Sequence, residues 1–187
     1  RGSTAGPQPA LCESGRVACG RVRGGLDPEG IVKVQVIQKL RAPVRLSQPG
    51  ESPLDGHLCL LPELEGQRRP ETVLELLNSP RRVIPFLRAL DDSVVLLTRL
   101  NIDWVVVGAE VDPGWIMPKR FPATHEQGVW LQFFDGRMME GDARWPSHAA
   151  DIRLSDYLND TADFYPLATR LGIMMINKNR VRETRVG

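Results

Sequence analysis

The sequence predicts a mainly β chain: two tandem small barrel-like or curled-sheet units, each with one short helix, behind a flexible N-terminal arm. Three observations carry that prediction. Part of the chain is repeated, so that Leu76-Leu77-Asn78 falls on Tyr157-Leu158-Asn159 and Ile84-Pro85-Phe86 on Tyr165-Pro166-Leu167, both at a shift of 81. After a two-residue contraction Leu97-Thr98-Arg99 falls on Ile176-Asn177-Lys178, and Ile102 on Val181. Apolar residues recur in short runs bounded by turn residues, the rhythm of short strands. Further back, Glu65-Gly66 can be laid on Glu140-Gly141. A duplicated module that keeps its turns and apolar rhythm speaks to architecture before chemistry.

The predicted organisation is an arm over 1–55, a first β-rich unit over 56–108, a Pro-rich linker over 109–127 and a second unit over 128–187. Residues 1–30 are rich in Gly, Pro, Arg and Ser without periodicity. Val32, Val34 and Val36 alternate with Lys33 and Gln35, which predicts a strand over 31–40. Ala42 to Leu46 adds a short edge piece, since Pro43 is tolerated at a sheet edge. His57 to Leu61 opens the first unit as a strand, and a second runs near Glu63 to Gln67.

The helix of the first unit is predicted over Thr72–Leu77. Pro70 stands in the first turn, Glu71 lies near the positive end of the helix dipole, and Asn78 terminates the helix in the left-handed conformation. Val83 to Leu90 and Val94 to Leu97 read as strands joined at Asp91-Asp92, followed by a strand over Asn101 to Val107. Pro113-Gly114, Pro118 and Pro122 break any regular element in the linker. Asp135-Gly136 predicts a two-residue hairpin turn between Val129–Phe134 and Arg137–Gly141. A helix over Leu154–Leu158 and strands over Phe164–Thr169, Ile173–Asn177 and Arg180–Val186 complete the second unit. Leu74, Leu77, Ile102 and Val105, with Leu154, Leu158, Ile176 and Val181, are the expected core.

At 187 residues, 42% hydrophobic and 25% charged, the composition is that of an ordinary globular chain. A formal net charge of +1 gives no overall pull towards nucleic acid or an anionic membrane. The charge is mildly uneven, with eight Lys/Arg against five Asp/Glu in residues 1–55. No apolar window is long enough for a membrane-spanning helix, and the N-terminus lacks the apolar run of a signal peptide. Cys12 and Cys19 are spaced to bridge, but three cysteines do not make a disulfide framework. Reduced thiols and a cytoplasmic location are the expectation, with a removed signal left open.

The three histidines, His57, His125 and His148, lack partners at metal-ligand spacing. His57 and Cys59 share a strand face but make only half a metal site. Gly20-Arg21-Val22-Arg23-Gly24-Gly25 leads into no helix, so it is no phosphate loop. Neither a catalytic constellation nor a cofactor motif emerges.

Asp135-Gly136-Arg137, then Glu140-Gly141, Asp156 and Asn159, and a closing Ile176-Asn177-Lys178-Asn179-Arg180-Val181 resemble the Sm-like small β-barrels. Those proteins share a D/N-G turn, a strand ending in Gly, a D…N pair and a late apolar strand. The first unit repeats only the tail, Leu97 to Ile102, the helix falls inside each unit, and the closing Arg-Gly is absent from both. The Leu154-Ser155-Asp156-Tyr157-Leu158-Asn159 segment with Phe164 and Pro166-Leu167 is also similar to uncharacterised bacterial domains.

The expected function is a non-enzymatic protein-binding or scaffold subunit of a larger assembly. Trp115, Phe121 and Trp130 are the candidate anchors, because Trp is enriched at interface hot spots; covering the gap between the units is their other reading. RNA binding through a barrel face is the alternative, with Arg180 and Arg182 alternating on one strand face and Arg185 opposite. An enzyme with its site between the two units is the third class. No cofactor and no metal are expected.

Overall fold

The computed structural model describes residues 24–26, 32–34, 39–63, 69–108, 110–118, 124–146 and 153–187. The chain divides into Arg1–Gln38 and Lys39–Gly187. In the first part, β1 (Gly24–Leu26) and β2 (Val32–Val34) form an antiparallel pair with Gly25 opposite Lys33. The expected strand over 31–40 therefore holds at Val32–Val34, whereas Leu40 begins a different element. Cys12 and Cys19 lie outside the described residues.

The second part is built on β3 (Leu40–Ser47), β4 (Leu54–Leu60), β5 (Val83–Arg88), β6 (Val94–Thr98), β7 (Trp104–Val107), β8 (His125–Phe133), β9 (Met138–Trp145), β10 (Phe164–Thr169), β11 (Gly172–Asn177) and β12 (Val181–Val186). All ten form one antiparallel sheet, in the order β12-β8-β9-β10-β11-β7-β3-β4-β5-β6. Its ends, β12 and β6, do not pair with each other, so the sheet is open. Three short helices accompany it: α1 (Val73–Leu77), α2 (Pro113–Ile116) and α3 (Leu154–Asp160). No helix among the described residues is long and apolar enough to cross a membrane.

The order contains the same five-strand sequence twice. In β7-β3-β4-β5-β6 and again in β12-β8-β9-β10-β11, the last strand in the chain lies beside the first. A 3-10 turn precedes that last strand both times, at Arg99–Asn101 and at Lys178–Arg180. The sequence rhythm misses these turns and reads Asn101 and Arg180 as the starts of strands. The halves join where β11 pairs with β7, Met175 opposite Val105.

β3 corrects the sequence reading of Ala42–Leu46 as an edge piece of an arm. It lies inside the sheet, between β7 and β4. Pro43 is accommodated because the ladder with β7 runs out there, its carbonyl accepting from Gly108 at 3.1 Å. The expected strand near Glu63–Gln67, like Glu65-Gly66, falls at residues 64–68, outside the described residues. The counterpart of Gly141 in the sheet is Gly56, preceded by Asp55 as Gly141 is by Glu140. A Cβ on Gly56 would run into the carbonyl oxygen of Leu87; one on Gly141 would lie 2.5 Å from that of Ala168. Leu87 and Ala168 are again separated by 81. Each glycine lets the third strand of its half close onto the second.

Local chemistry explains the helices. α1 starts one residue later than the Pro70 signal implied, because Thr72 is the N-cap: its hydroxyl accepts from Glu75 N at 3.2 Å, and Glu75 accepts back from Thr72 N at 3.0 Å. Asn78 is not left-handed, having φ −97 and ψ 6. Its side chain donates to Phe164 O and accepts from Phe164 N, both at 2.9 Å, tying the end of α1 to β10. α3 extends two residues beyond Leu158, with Asn159 inside it. α2 forms where prolines predicted none: Pro113 occupies the first turn, and Asp112 caps Gly114 N at 2.7 Å. The Asp135-Gly136 connection is a three-residue loop. Gly136 N donates to Phe133 O, Phe133 N to Arg137 O, and Gly136 has φ +86, a turn followed by a bulge.

Two apolar clusters follow the two halves. Leu58, Leu76, Phe86 and Ile102 centre the first, and Leu131, Phe133, Tyr165 and Ile176 the second. Of the expected core residues, Leu74, Leu77, Ile102, Val105, Leu154 and Ile176 are buried. Leu158 and Val181 are only half-buried against the second cluster. Leu154 is the one fully buried residue of α3, and Tyr157 stacks on Trp145.

Two expectations follow. Ala at Gly56 or Gly141 forces a Cβ against backbone, so each variant loses roughly 1–3 kcal/mol in urea unfolding; unchanged stability would exclude the close approach. Glu75 accepts both guanidinium nitrogens of Arg69, at 2.8 and 2.5 Å, which with the Thr72 bonds lowers its pKa from 4.5 to about 2 against the opposing effect of burial. The folded state thus holds this carboxylate charged more readily than the unfolded chain does. The stabilisation is complete above 4.5 and disappears as pH falls towards about 2. The stability gap between wild type and Glu75→Gln therefore narrows over that window, and a gap independent of pH contradicts the assignment.

Candidate functional site

Polar side chains converge where the two halves meet. Asp103 precedes β7 and is buried, with its backbone N donating to Ser47 O at 2.8 Å and its carbonyl accepting from Asn177 N at 3.0 Å. Arg137, leaving the Asp135-Gly136 turn, and Arg180, ending the second 3-10 turn, both reach its carboxylate. Arg180 donates through Nε at 3.0 Å, and Arg137 through a terminal nitrogen. Arg137 also donates to Ser47 Oγ at 2.5 Å and to Asp135 at 2.6 Å, and its guanidinium lies 5.6 Å from the centre of the Phe133 ring. The Arg137 hydrogen bond holds the exposed Asp135 carboxyl below the ordinary aspartate range. Asn177 Nδ2 adds bonds to Ile102 O at 2.9 Å and Leu100 O at 3.3 Å.

A second set lies at the helix ends. Arg99 donates to Leu77 O at 2.9 Å, at the C-terminus of α1, and to Asp163 at 2.7 Å. Lys178, its repeat counterpart, donates to Leu158 O at 2.9 Å and Thr161 O at 2.5 Å, at the C-terminus of α3. In both halves a cation leaving the 3-10 turn meets the unpaired carbonyls and negative dipole end of the helix. Asp163 is lowered chiefly by its hydrogen bond from Arg99. These groups satisfy one another through ion pairs and hydrogen bonds to backbone carbonyls. Among the described residues no three His, Cys, Asp or Glu side chains are grouped to hold a metal ion.

A groove of about 870 Å³ is bordered by β8, β9 and the β10–β11 turn. Trp130, Met138, Met139 and Leu171 give it apolar walls, and its charged groups are Glu140, Asp142, Arg144 and Arg170. Strand alternation places Trp130 outward between buried Val129 and Leu131, and the ladder sets Trp130 opposite Glu140. Trp130, Met138 and Leu171 are 47%, 58% and 76% exposed.

The structure separates the residues singled out from sequence. Trp130 is exposed on the groove. Trp115 is half-buried and packs, with Ile116 and Met117, against the first apolar cluster. Phe121 lies outside the described residues. Arg180 is turned inward onto Asp103, and Arg182 stands exposed beside a bulge between Val181 and Glu183. The expected alternation of Arg180 and Arg182 on one strand face fails because Arg180 belongs to the 3-10 turn. Arg185 pairs with Glu183 at 2.8 Å. Sequence reasoning missed Ser47, Asp103 and Arg137 as a cluster. Their partners lie 34 to 90 positions apart, and no local motif records that.

Compared with known proteins, the chain matches no family model, no curated protein and no solved structure.

Replacing Asp103 by Ala leaves Arg137 and Arg180 without the buried carboxylate they share. The expected loss in urea unfolding is about 3 kcal/mol. The exposed Arg45–Asp55 pair is the control: Asp55→Ala leaves stability unmoved. Equal effects of the two substitutions would remove the special standing of Asp103.

Proposed function

We propose that the chain is a non-enzymatic protein-binding module, a scaffold subunit built from two duplicated, curled small-barrel halves. The repeated strand order, the matched glycines Gly56 and Gly141, and the cation at each helix end support the duplication. The likeness to Sm-like barrels remains a proposal at the level of this shared layout.

The groove at Trp130 carries the functional reading. Its exposed aromatic and aliphatic walls suit a polypeptide segment that inserts an apolar side chain, and the mixed rim of Glu140, Asp142, Arg144 and Arg170 suits polar contacts of either sign. The RNA alternative draws less support. Arg180, Arg137 and Arg99 are engaged by Asp103 and Asp163 and Arg185 by Glu183, whereas Arg182 stands exposed on β12 and the groove sets Glu140 and Asp142 beside Arg144 and Arg170. An enzyme between the halves would need a nucleophile or base, and the polar groups at that junction are ion-paired or bonded to backbone.

The test places a photo-crosslinking amino acid at Met138 in the native host, identifies the captured protein, and titrates that purified protein against the chain. Trp130→Ala is expected to weaken binding by roughly 10- to 100-fold, with an unchanged melting temperature. Undiminished affinity overturns the groove assignment. Binding to single-stranded RNA that falls steeply with salt overturns the protein-binding reading in favour of RNA.

A further inference from the structure

The two ends of the sheet are finished differently. β12 carries Arg182, Glu183 and Arg185 and a bulge between Val181 and Glu183, features that discourage pairing with another strand. β6 has the sequence Val94-Val95-Leu96-Leu97-Thr98, with no charge and no bulge. Leu96 is 72% exposed, and Leu90 and Leu100, just before and after the strand, are 84% and 47% exposed.

The ladder fixes which backbone groups are free. Arg88 N donates to Ser93 O and Arg99 N to Arg82 O, both at 2.9 Å, and the register between runs from Val83 opposite Thr98 to Leu87 opposite Val94. Hydrogen-bonded and non-hydrogen-bonded pairs alternate in an antiparallel ladder, so Val95 and Leu97 face β5 with their N–H and C=O groups. Those of Val94, Leu96 and Thr98 point away from it. Pro85, which has no N–H, sits opposite Leu96, where none is needed. Among the described residues, β6 pairs with β5 alone.

We propose that β6 is a self-association edge, at which two copies of the chain join by antiparallel pairing of β6 with β6 about a two-fold axis at Leu96. Leu96 then faces Leu96 of the second copy, and Val94 faces Thr98. The three outward residues of each strand exchange hydrogen bonds, and no like charges are brought together. Antiparallel pairing brings the Leu90 end of one strand to the Leu100 end of the other, extending an apolar strip across the junction. Such an isologous contact closes at a dimer. A head-to-tail alternative would pair β6 with β12, whose charges and bulge oppose it. The edge lies at the far end of the sheet from β8 and Trp130, so the proposal stands or falls separately from the groove.

Sedimentation velocity on the full chain tests it, and a species of twice the chain mass, populated reversibly with concentration, is the expected result. Leu96→Glu sets two like charges opposite each other at the axis, and, independently, Val94→Lys sets a charge against Thr98 of the second copy. Each is expected to weaken dimerisation by about 5-fold or more while melting as the wild-type monomer does. Thr184→Glu on β12 leaves the dimer intact. In Leu96→Cys, oxidation joins the two introduced thiols across the axis in a disulfide identifiable by mass spectrometry. A monomer at all concentrations, a dimer indifferent to both β6 substitutions, or a ladder of higher oligomers abolished by Thr184→Glu would each overturn the proposal.

Discussion

One carboxylate, that of Asp103, sits at the point where the two halves of the sheet become a single structure. Arg137 and Arg180, from the turn and 3-10 residues of the second half, both donate to it, and Arg137 reaches on to Ser47 Oγ of β3 in the first half. Taking a carboxylate out of water costs several kcal/mol unless its lone pairs are filled, and here two guanidinium groups fill them. The arrangement is directional. It requires the Asp135-Gly136 loop to project Arg137 towards β3, and the second 3-10 turn to aim Arg180 back at β7. The β11–β7 ladder and the Asn177 bonds to the first 3-10 turn fall into place under the same constraint.

Sequence made the local elements legible wherever one residue type does one job. The buried face of α1, a hairpin at Asp135-Gly136 and the strands β5, β10 and β11 could be read directly, because alternation and turn chemistry are short-range properties, although the loop has three residues where two were expected. Errors arose where tertiary context overrode them. Pro43 suggested an edge, yet β3 is interior because its ladder ends at that proline. Asn78 looked like a left-handed terminator, yet its amide substitutes for a rung to Phe164. The 3-10 turns were invisible because three residues carry no periodicity, and Arg180 was consequently assigned to a strand face.

The candidate site was less legible than the fold. Trp130 was found from residue type, but the groove beside it depends on the β10–β11 turn meeting β9 across a glycine, which no spacing rule anticipates. Trp115 illustrates the opposite case. An aromatic in a Pro-rich stretch looked free to bind a partner, yet Asp112 and Pro113 organise a helical turn that lays it on the first apolar cluster. Composition could not separate these two tryptophans, whereas neighbouring secondary structure does.

The junction of the halves has a consequence for synthesis. β7 is complete once Val107 has left the ribosome, but the strand that flanks it opposite β3 is β11, and Met175 follows its partner Val105 by 70 residues. Throughout that interval Trp104-Val105-Val106-Val107 is an apolar strand with one side unpaired, and the Asp103 carboxylate awaits Arg180. The first half of the nascent chain thus carries an adhesive edge that only its own second half seals. The second half thus acts as the cover of the first, and the order of translation decides that the first half waits.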